Sequence, residues 1–376
     1  MVRTSILIII FGTIASSTAT AEEPESPRPR LQIINASTEA ADLFWLPDEG
    51  PQKTSGTVSS GKNQIIDTTI GHRFAVVGRE SGTRQTVRCE TLIQGYRFDP
   101  KAADGIPAFY TQRVEATGFP IVASETVNPY ALKEAAYLID QMLGKRPDVR
   151  DVMIKSGARF CIMAYNEFTT DLPEFNWYLE ETKDPYPGVS PKDFWDARAR
   201  GTGGSVTDPY CSCGEENLLG YPGDPYEKEN ILIHEFAHNI HLRGMVNVDP
   251  SFDKRLQAAY EKAIASGLWK NKYAATNHYE YFAEGVQSWF GNNRENDHDH
   301  NHVNTRTELI DYDPVLAGFC REVFADTELT YTKPATRLTG HMKGYDPSKA
   351  PVFEWPARLK KAKAAIRQNN IDADKE

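Results

Sequence analysis

The chain has 376 residues, 40% of them hydrophobic and 25% charged, with a formal charge of −10. This is the composition of a globular protein, and the length exceeds what a single hydrophobic core usually covers, so two domains plus tails are expected. No strongly basic block occurs. Nucleic acid and anionic membrane are therefore excluded as main partners, since both select clustered Lys and Arg.

At the N-terminus, Arg3 precedes an apolar run from Ile6 to Ile14 that is too short to span a bilayer, and Ala19-Thr20-Ala21 offers small residues for cleavage before Glu22. Residues 1–21 are expected to be a signal peptide, leaving an exported chain, secreted or periplasmic, with no membrane span. Residues 22–30 form a proline-rich, flexible leader. From 31 to 99 short β-type runs (LQII, ADLFWL, NQIIDTTI, RFAVVG) are punctuated by turn residues such as Asp48-Glu49-Gly50 and Ser81-Gly82, predicting a small all-β sandwich. Residues 100–121 read as a linker, open to proteases. The periodicity then turns helical from Pro129 to Leu143 and stops at Gly144. Val152 to Ile154 and Arg159 to Tyr165 read as strands, and Pro173 to Gly204 as a long surface loop. An α+β domain is expected over 122–335, with an extension over 336–376 that carries a basic amphipathic helix from Ala357 to Gln368. Cys89, Cys161, Cys211, Cys213 and Cys320 could form up to two pairs in an oxidising compartment. Cys211 and Cys213 are too close to bridge each other, which leaves Cys161 or Cys320 as partners.

The chemistry concentrates in two later segments. Ile231-Leu-Ile-His234-Glu235-Phe-Ala-His238 contains HExxH within an apolar run. Asp224-Pro225-Tyr226-Glu227 reads as its capping box and Gly244 as its end. At 100° per residue, His234 and His238 lie one above the other on one helix face, where two neutral imidazoles can grip one Zn²⁺. Glu235 lies beside that face, where a carboxylate can take a proton from water. A third ligand is needed. His241 lies two turns from His234, too far along the axis, and reads as a packing or supporting residue. The second segment, Asn277 to Phe290, offers Glu280 and Glu284 as i,i+4 neighbours: one carboxylate to ligate, the other to hold an imidazole. The competing reading of Glu280 is a capping partner of Asn277. Asp297-His298-Asp299-His300-Asn301-His302 could collect metal ions, or form a solvated polar loop.

These residues resemble the catalytic domain of anthrax lethal factor and its relatives, glutamate-zincin metallopeptidases in which HEFxH is followed by a tyrosine and, seven residues later, by a glutamate in an E-[FY]-F-A-E run. Here His234-Glu-Phe-Ala-His238 is followed by Tyr273 and by Glu280-Tyr-Phe-Ala-Glu284. The resemblance implies a zincin fold, His234, His238 and Glu280 as zinc ligands, Glu235 as general base, Tyr273 as stabiliser of the oxyanion or leaving group, and Glu284 as a supporting residue. Upstream, residues 45–72 resemble the β domain of the von Hippel–Lindau protein, a sandwich that binds a hydroxyproline-containing peptide. Trp45 and His72 match its pocket. Thr68 and Phe74 depart conservatively, and Ser55 stands where that family has a tyrosine. Trp45 and His72 can equally serve as packing residues of the sandwich.

The expected function is therefore hydrolysis of peptide bonds in a protein or peptide substrate, with a protein partner for the sandwich. Two rival expectations stand: a partner-binding protein whose zincin domain is only a scaffold, and a zinc hydrolase acting on a non-peptide amide.

Overall fold

The computed structural model describes residues 27–175, 186 and 188–373. The expected signal peptide and residues 22–26 of the leader lie outside them. The N-terminal region is β-rich and the C-terminal region largely helical.

The first region comprises β1 (Arg30–Asn35), β2 (Ala41–Leu46), β3 (Lys53–Val58), β4 (Asn63–Asp67), β5 (Arg73–Gly78), β6 (Arg84–Arg88) and β7 (Ile93–Phe98). They form a three-stranded sheet, β4-β1-β7, and a four-stranded sheet, β3-β2-β5-β6. Alternation along each strand turns Leu31, Ile33 and Phe98 of one sheet against Leu43, Phe74 and Val76 of the other.

The stretch expected to be a linker is not one. It holds β8 (Gln112–Ala116) and, with β9 (Phe119–Ala123), supplies a hairpin to a five-stranded sheet completed by β10 (Arg159–Met163), β11 (Gly201–Thr202) and β12 (Tyr210–Gly214) in the order β11-β12-β10-β9-β8. β10 and β12 are buried along their whole length, as central strands covered on both faces must be. Ahead of the hairpin, Phe109 and Tyr110 pack with Ile34 of β1 and with Val122, Cys161 and Met163 on one face of this sheet. Polar contacts add to the join. Asn247 accepts from the Ile93 amide at 2.8 Å and donates to its carbonyl at 3.2 Å, and Gln32 donates to the Thr207 carbonyl at 2.8 Å.

The other face of the sheet carries the helices α1 (Pro129–Met142), α2 (Pro147–Lys155), α4 (Glu215–Leu219), α5 (Ile231–Asn239), α6 (Val246–Val248), α7 (Phe252–Ala265), α8 (His278–Trp289), α9 (Arg306–Tyr312) and α10 (Pro314–Phe324), while α3 (Pro191–Arg198) and α11 (Lys360–Ala373) form a separate apolar cluster. Val152–Ile154, read as a strand, belongs to α2: Pro147 in its first turn and Asp148 and Lys155 at matching ends favour the helix over two β-branched residues. The expected loop over 173–204 contains α3, started by Ser190, whose hydroxyl accepts from the Asp193 amide at 3.1 Å.

Two boundaries of the HExxH helix also differ. Asp224 caps a local turn at Tyr226, and α5 begins later, where the Asn230 side chain accepts from the Ile233 amide at 3.1 Å. At the other end Gly244 does not stop the helix. The chain widens into a π-helical segment, Ile240–Met245, and continues into α6. Gly244 serves close packing instead, since a Cβ there would stand 2.6 Å from Val149 Cγ1 of α2. The five cysteines are all free and buried. Strand alternation turns Cys211 and Cys213 toward the helices and Cys161 toward the opposite face, so the expected pairing of Cys161 with either has no geometry to form. Among the described residues no helix is long and apolar enough to cross a membrane.

Candidate metal centre

Helices α5 and α8 pack side by side, and their facing side chains converge. His234 Nε2 lies 3.1 Å from Glu280 Oε2, His238 Nε2 lies 3.4 Å from the same oxygen, and the two imidazole nitrogens are 3.3 Å apart. Tetrahedral ligands at about 2.0–2.1 Å from a zinc ion stand roughly 3.3 Å from one another, so these three donors have the spacing of one face of such a site. Both histidines are 8% exposed. The capping role of Asn277 exists as well: its side chain accepts from the Glu280 amide at 2.9 Å. It engages the backbone only and leaves the Glu280 carboxylate to the histidines.

The partner of His234 on its far side differs from the expectation. Gln287 Oε1 is 2.8 Å from Nδ1, whereas Glu284 Oε1 is 3.5 Å away. An amide oxygen only accepts, so Nδ1 carries the proton and Nε2 presents its lone pair to the centre. Gln287 is itself aimed by Glu229, to which its Nε2 donates at 3.1 Å, and Glu229 pairs with Arg294 at 3.1 Å. Glu284 is held by Asn293 at 2.9 Å and faces His300 Nε2 at 3.2 Å. Gln287 lies seven residues beyond Glu280, on the same helix stripe, which was the available signal for it.

The polar loop near the site is only partly solvated. His300 is 4% exposed, with Asp297 on its other nitrogen at 2.9 Å, while His298 is exposed and His302 lies edge-on to Tyr312. Asp297, Asp299 and His300 also bring ligand atoms together, but Arg294 pairs with both aspartates, at 3.3 and 3.4 Å. The Asp299 carbonyl accepts from the Tyr273 amide at 2.8 Å, so this loop fixes the 3₁₀ turn Tyr273–Ala275. The Tyr273 ring lies 6.2 Å from that of His234, and 39% of the residue is exposed. His241 is remote from the centre, wholly buried, with Nε2 3.0 Å from Asp253.

Glu235, Tyr273 and the three converging donors line one open cleft of about 730 Å³. Its opposite wall is β11 and the glycine-rich turn after it. That wall passes so near α5 that a Cβ at Gly203 would stand 2.6 Å from the His238 ring. The run Gly201-Thr-Gly-Gly204, which carries no motif of its own, is what lets strand and helix meet there.

Burial disfavours charge on His234, yet the hydrogen bond that Glu280 accepts from it and the charge of Glu235 raise its pKa well above the ordinary value. Burial likewise works against the Glu280 carboxylate, but His234 and His238 outweigh it and hold that pKa far down. Burial raises the Glu235 pKa, partly offset by the histidines. Burial and the Glu280 charge push the Tyr273 hydroxyl up. The centre is an anionic field around two imidazoles, one that a divalent cation would satisfy.

In the β-rich region Trp45 and His72 are neighbours, with ring centroids 5.3 Å apart, and Thr68 Oγ1 lies 3.0 Å from His72 Nδ1. They border a groove of about 600 Å³ shared with Ser55, Phe74 and the chain's own Pro27 and Pro29. Among the described residues the buried Trp45 indole nitrogen has no hydrogen-bond partner.

Compared with known proteins, the chain matches no family model and no curated protein.

Proposed function

We propose that this protein is an exported zinc-dependent peptidase of the glutamate-zincin type. The observation that supports it most is the convergence of His234, His238 and Glu280 in an open cleft, with Glu235 beside them. A zinc ion held by those three residues would supply the polarisation of a water molecule and of the scissile carbonyl. Glu235 takes the proton of the attacking water on its carboxylate and passes it to the departing amide nitrogen. Its pKa, raised by burial, suits a group that must first accept and then donate. The Tyr273 hydroxyl donates to the oxygen on which negative charge develops. Gln287 keeps His234 in the tautomer the ligand role needs.

A peptide is favoured over other amides because β11, whose residues line the cleft, is an edge strand that among the described residues pairs with β12 alone. An extended substrate can pair with such an edge through its backbone. On this reading the Trp45–His72 groove recruits a protein partner, a role supported by the paired Trp45 and His72 rings that border it. The test joins elemental analysis of the purified chain to digestion of a peptide library. About one zinc per chain and chelator-sensitive cleavage are expected; a metal-free chain, or zinc without cleavage of any peptide, contradicts the proposal.

A further inference from the structure

One wall of the cleft is made by α3 and α11, which pack together through Phe194, Ala197, Ala362 and Ile366. Phe194, Arg198 and Ile366 of this unit reach the cleft. The helix is firmly held: Asp196, wholly buried, accepts from the Thr170 amide and hydroxyl at 3.0 and 2.7 Å and from Arg358 at 2.6 Å. Nearby arginines all have carboxylate partners: Arg200 with Glu216, Arg294 with Glu229, Arg358 with Asp193. Arg198 differs. It is exposed, its guanidinium lies 5.4 Å from the Trp195 ring, and among the described residues no carboxylate pairs with it. It is close enough to the centre for its charge to act on both Glu235 and Tyr273.

Resting on the peptidase reading, we infer that Arg198 is the specificity-determining residue of this cleft and binds a carboxylate of the substrate. Among the described residues five carboxylates line the cleft, those of Glu229, Glu235, Glu280, Glu284 and Asp299. All five belong to the centre or its surrounding network, so the free guanidinium is the feature that can tell one substrate from another. A guanidinium forms paired, charge-assisted bonds with a carboxylate. The carboxylate can be an Asp or Glu side chain near the scissile bond or a free C-terminus, and the two are separable.

The test uses the zinc-loaded full chain carrying Glu235→Gln, so that peptides bind without turnover. Dye-labelled peptides differ only in Glu against Gln at one position, and in a free against an amidated C-terminus; binding is read by fluorescence anisotropy. With Arg198 intact, one acidic arm binds roughly tenfold tighter than its neutral counterpart. Arg198→Ala brings that ratio near one, and Arg198→Glu reverses it in favour of a Lys peptide. The arm that shows the ratio names the source of the carboxylate. Equal binding of acidic and neutral peptides with Arg198 intact, or a ratio that survives Arg198→Ala, overturns the inference. A wild-type chain that cleaves none of these peptides, with the ratio present, contradicts the peptidase reading and supports the role of Arg198.

Discussion

Replacing Gln287 by leucine removes the acceptor from His234 Nδ1 while nearly conserving buried volume. The structure lets the cost be bounded. Gln287 is wholly buried, 2.8 Å from the imidazole, and Glu284 is a second acceptor near that nitrogen at 3.5 Å. Losing the partner of a ligating histidine typically weakens metal binding by about 10–100-fold. A small rotation of Glu284 can restore a hydrogen bond, so Gln287→Leu alone should fall near tenfold, about 1.4 kcal/mol. Gln287→Leu with Glu284→Ala should approach 100-fold. Zinc affinity is measured by competition with a chromogenic chelator, beside the melting temperature of each metal-free variant to separate binding from folding. Unchanged affinity in the double variant, with the fold intact, would refute the argument that these side chains orient the centre.

Four further outcomes are expected. Glu280→Gln should weaken zinc retention in equilibrium dialysis while His241→Ala leaves it intact, since His241 faces Asp253; the reverse result would mean that the third ligand is misassigned. Gly203→Ala should weaken zinc binding through displacement of His238, and an unaltered affinity would show that β11 can yield at no cost. Tyr273→Phe should lower kcat by roughly tenfold or more with zinc content unchanged; equal kcat for both proteins would remove the hydroxyl from the reaction. The chain should melt in one transition and resist cleavage between residues 100 and 118, and Asn247→Ala should cost about 1–2 kcal/mol in denaturant unfolding. Release of a stable N-terminal fragment would contradict the packed join.

How much was legible follows from the range of the forces involved. HExxH is a local pattern on one helix, and α8 shows Glu280 and Glu284 on one face, but the choice of Glu280 as the third ligand came from the resemblance. The β-type runs of the N-terminal region are equally local. What escaped depends on distant partners. β8 looks like linker because its apolar residues are few, and β9, though apolar, is short, so that only their pairing with each other and with β10 makes them sheet. Gln287 outranks Glu284 by its distance to His234 Nδ1, 2.8 against 3.5 Å, and its place on the Glu280 stripe of α8 was the local hint of it. α3 was missed amid Pro, Gly and aromatics, although Ser190-Pro191-Lys192-Asp193 carries a start signal. The cysteine expectation relied on compartment rather than on strand alternation, which decides who can meet.

The central claim is that the triad binds zinc and that Glu235 uses it without holding it. The most direct measurement is zinc content and peptidase rate on the same preparations of wild type and Glu235→Gln. Gln keeps the shape of the side chain but cannot accept a proton, so the rate should fall by a factor of about 10² to 10⁴, while both proteins carry about one zinc per chain. A Glu235→Gln variant that retains its zinc and wild-type turnover would contradict the account.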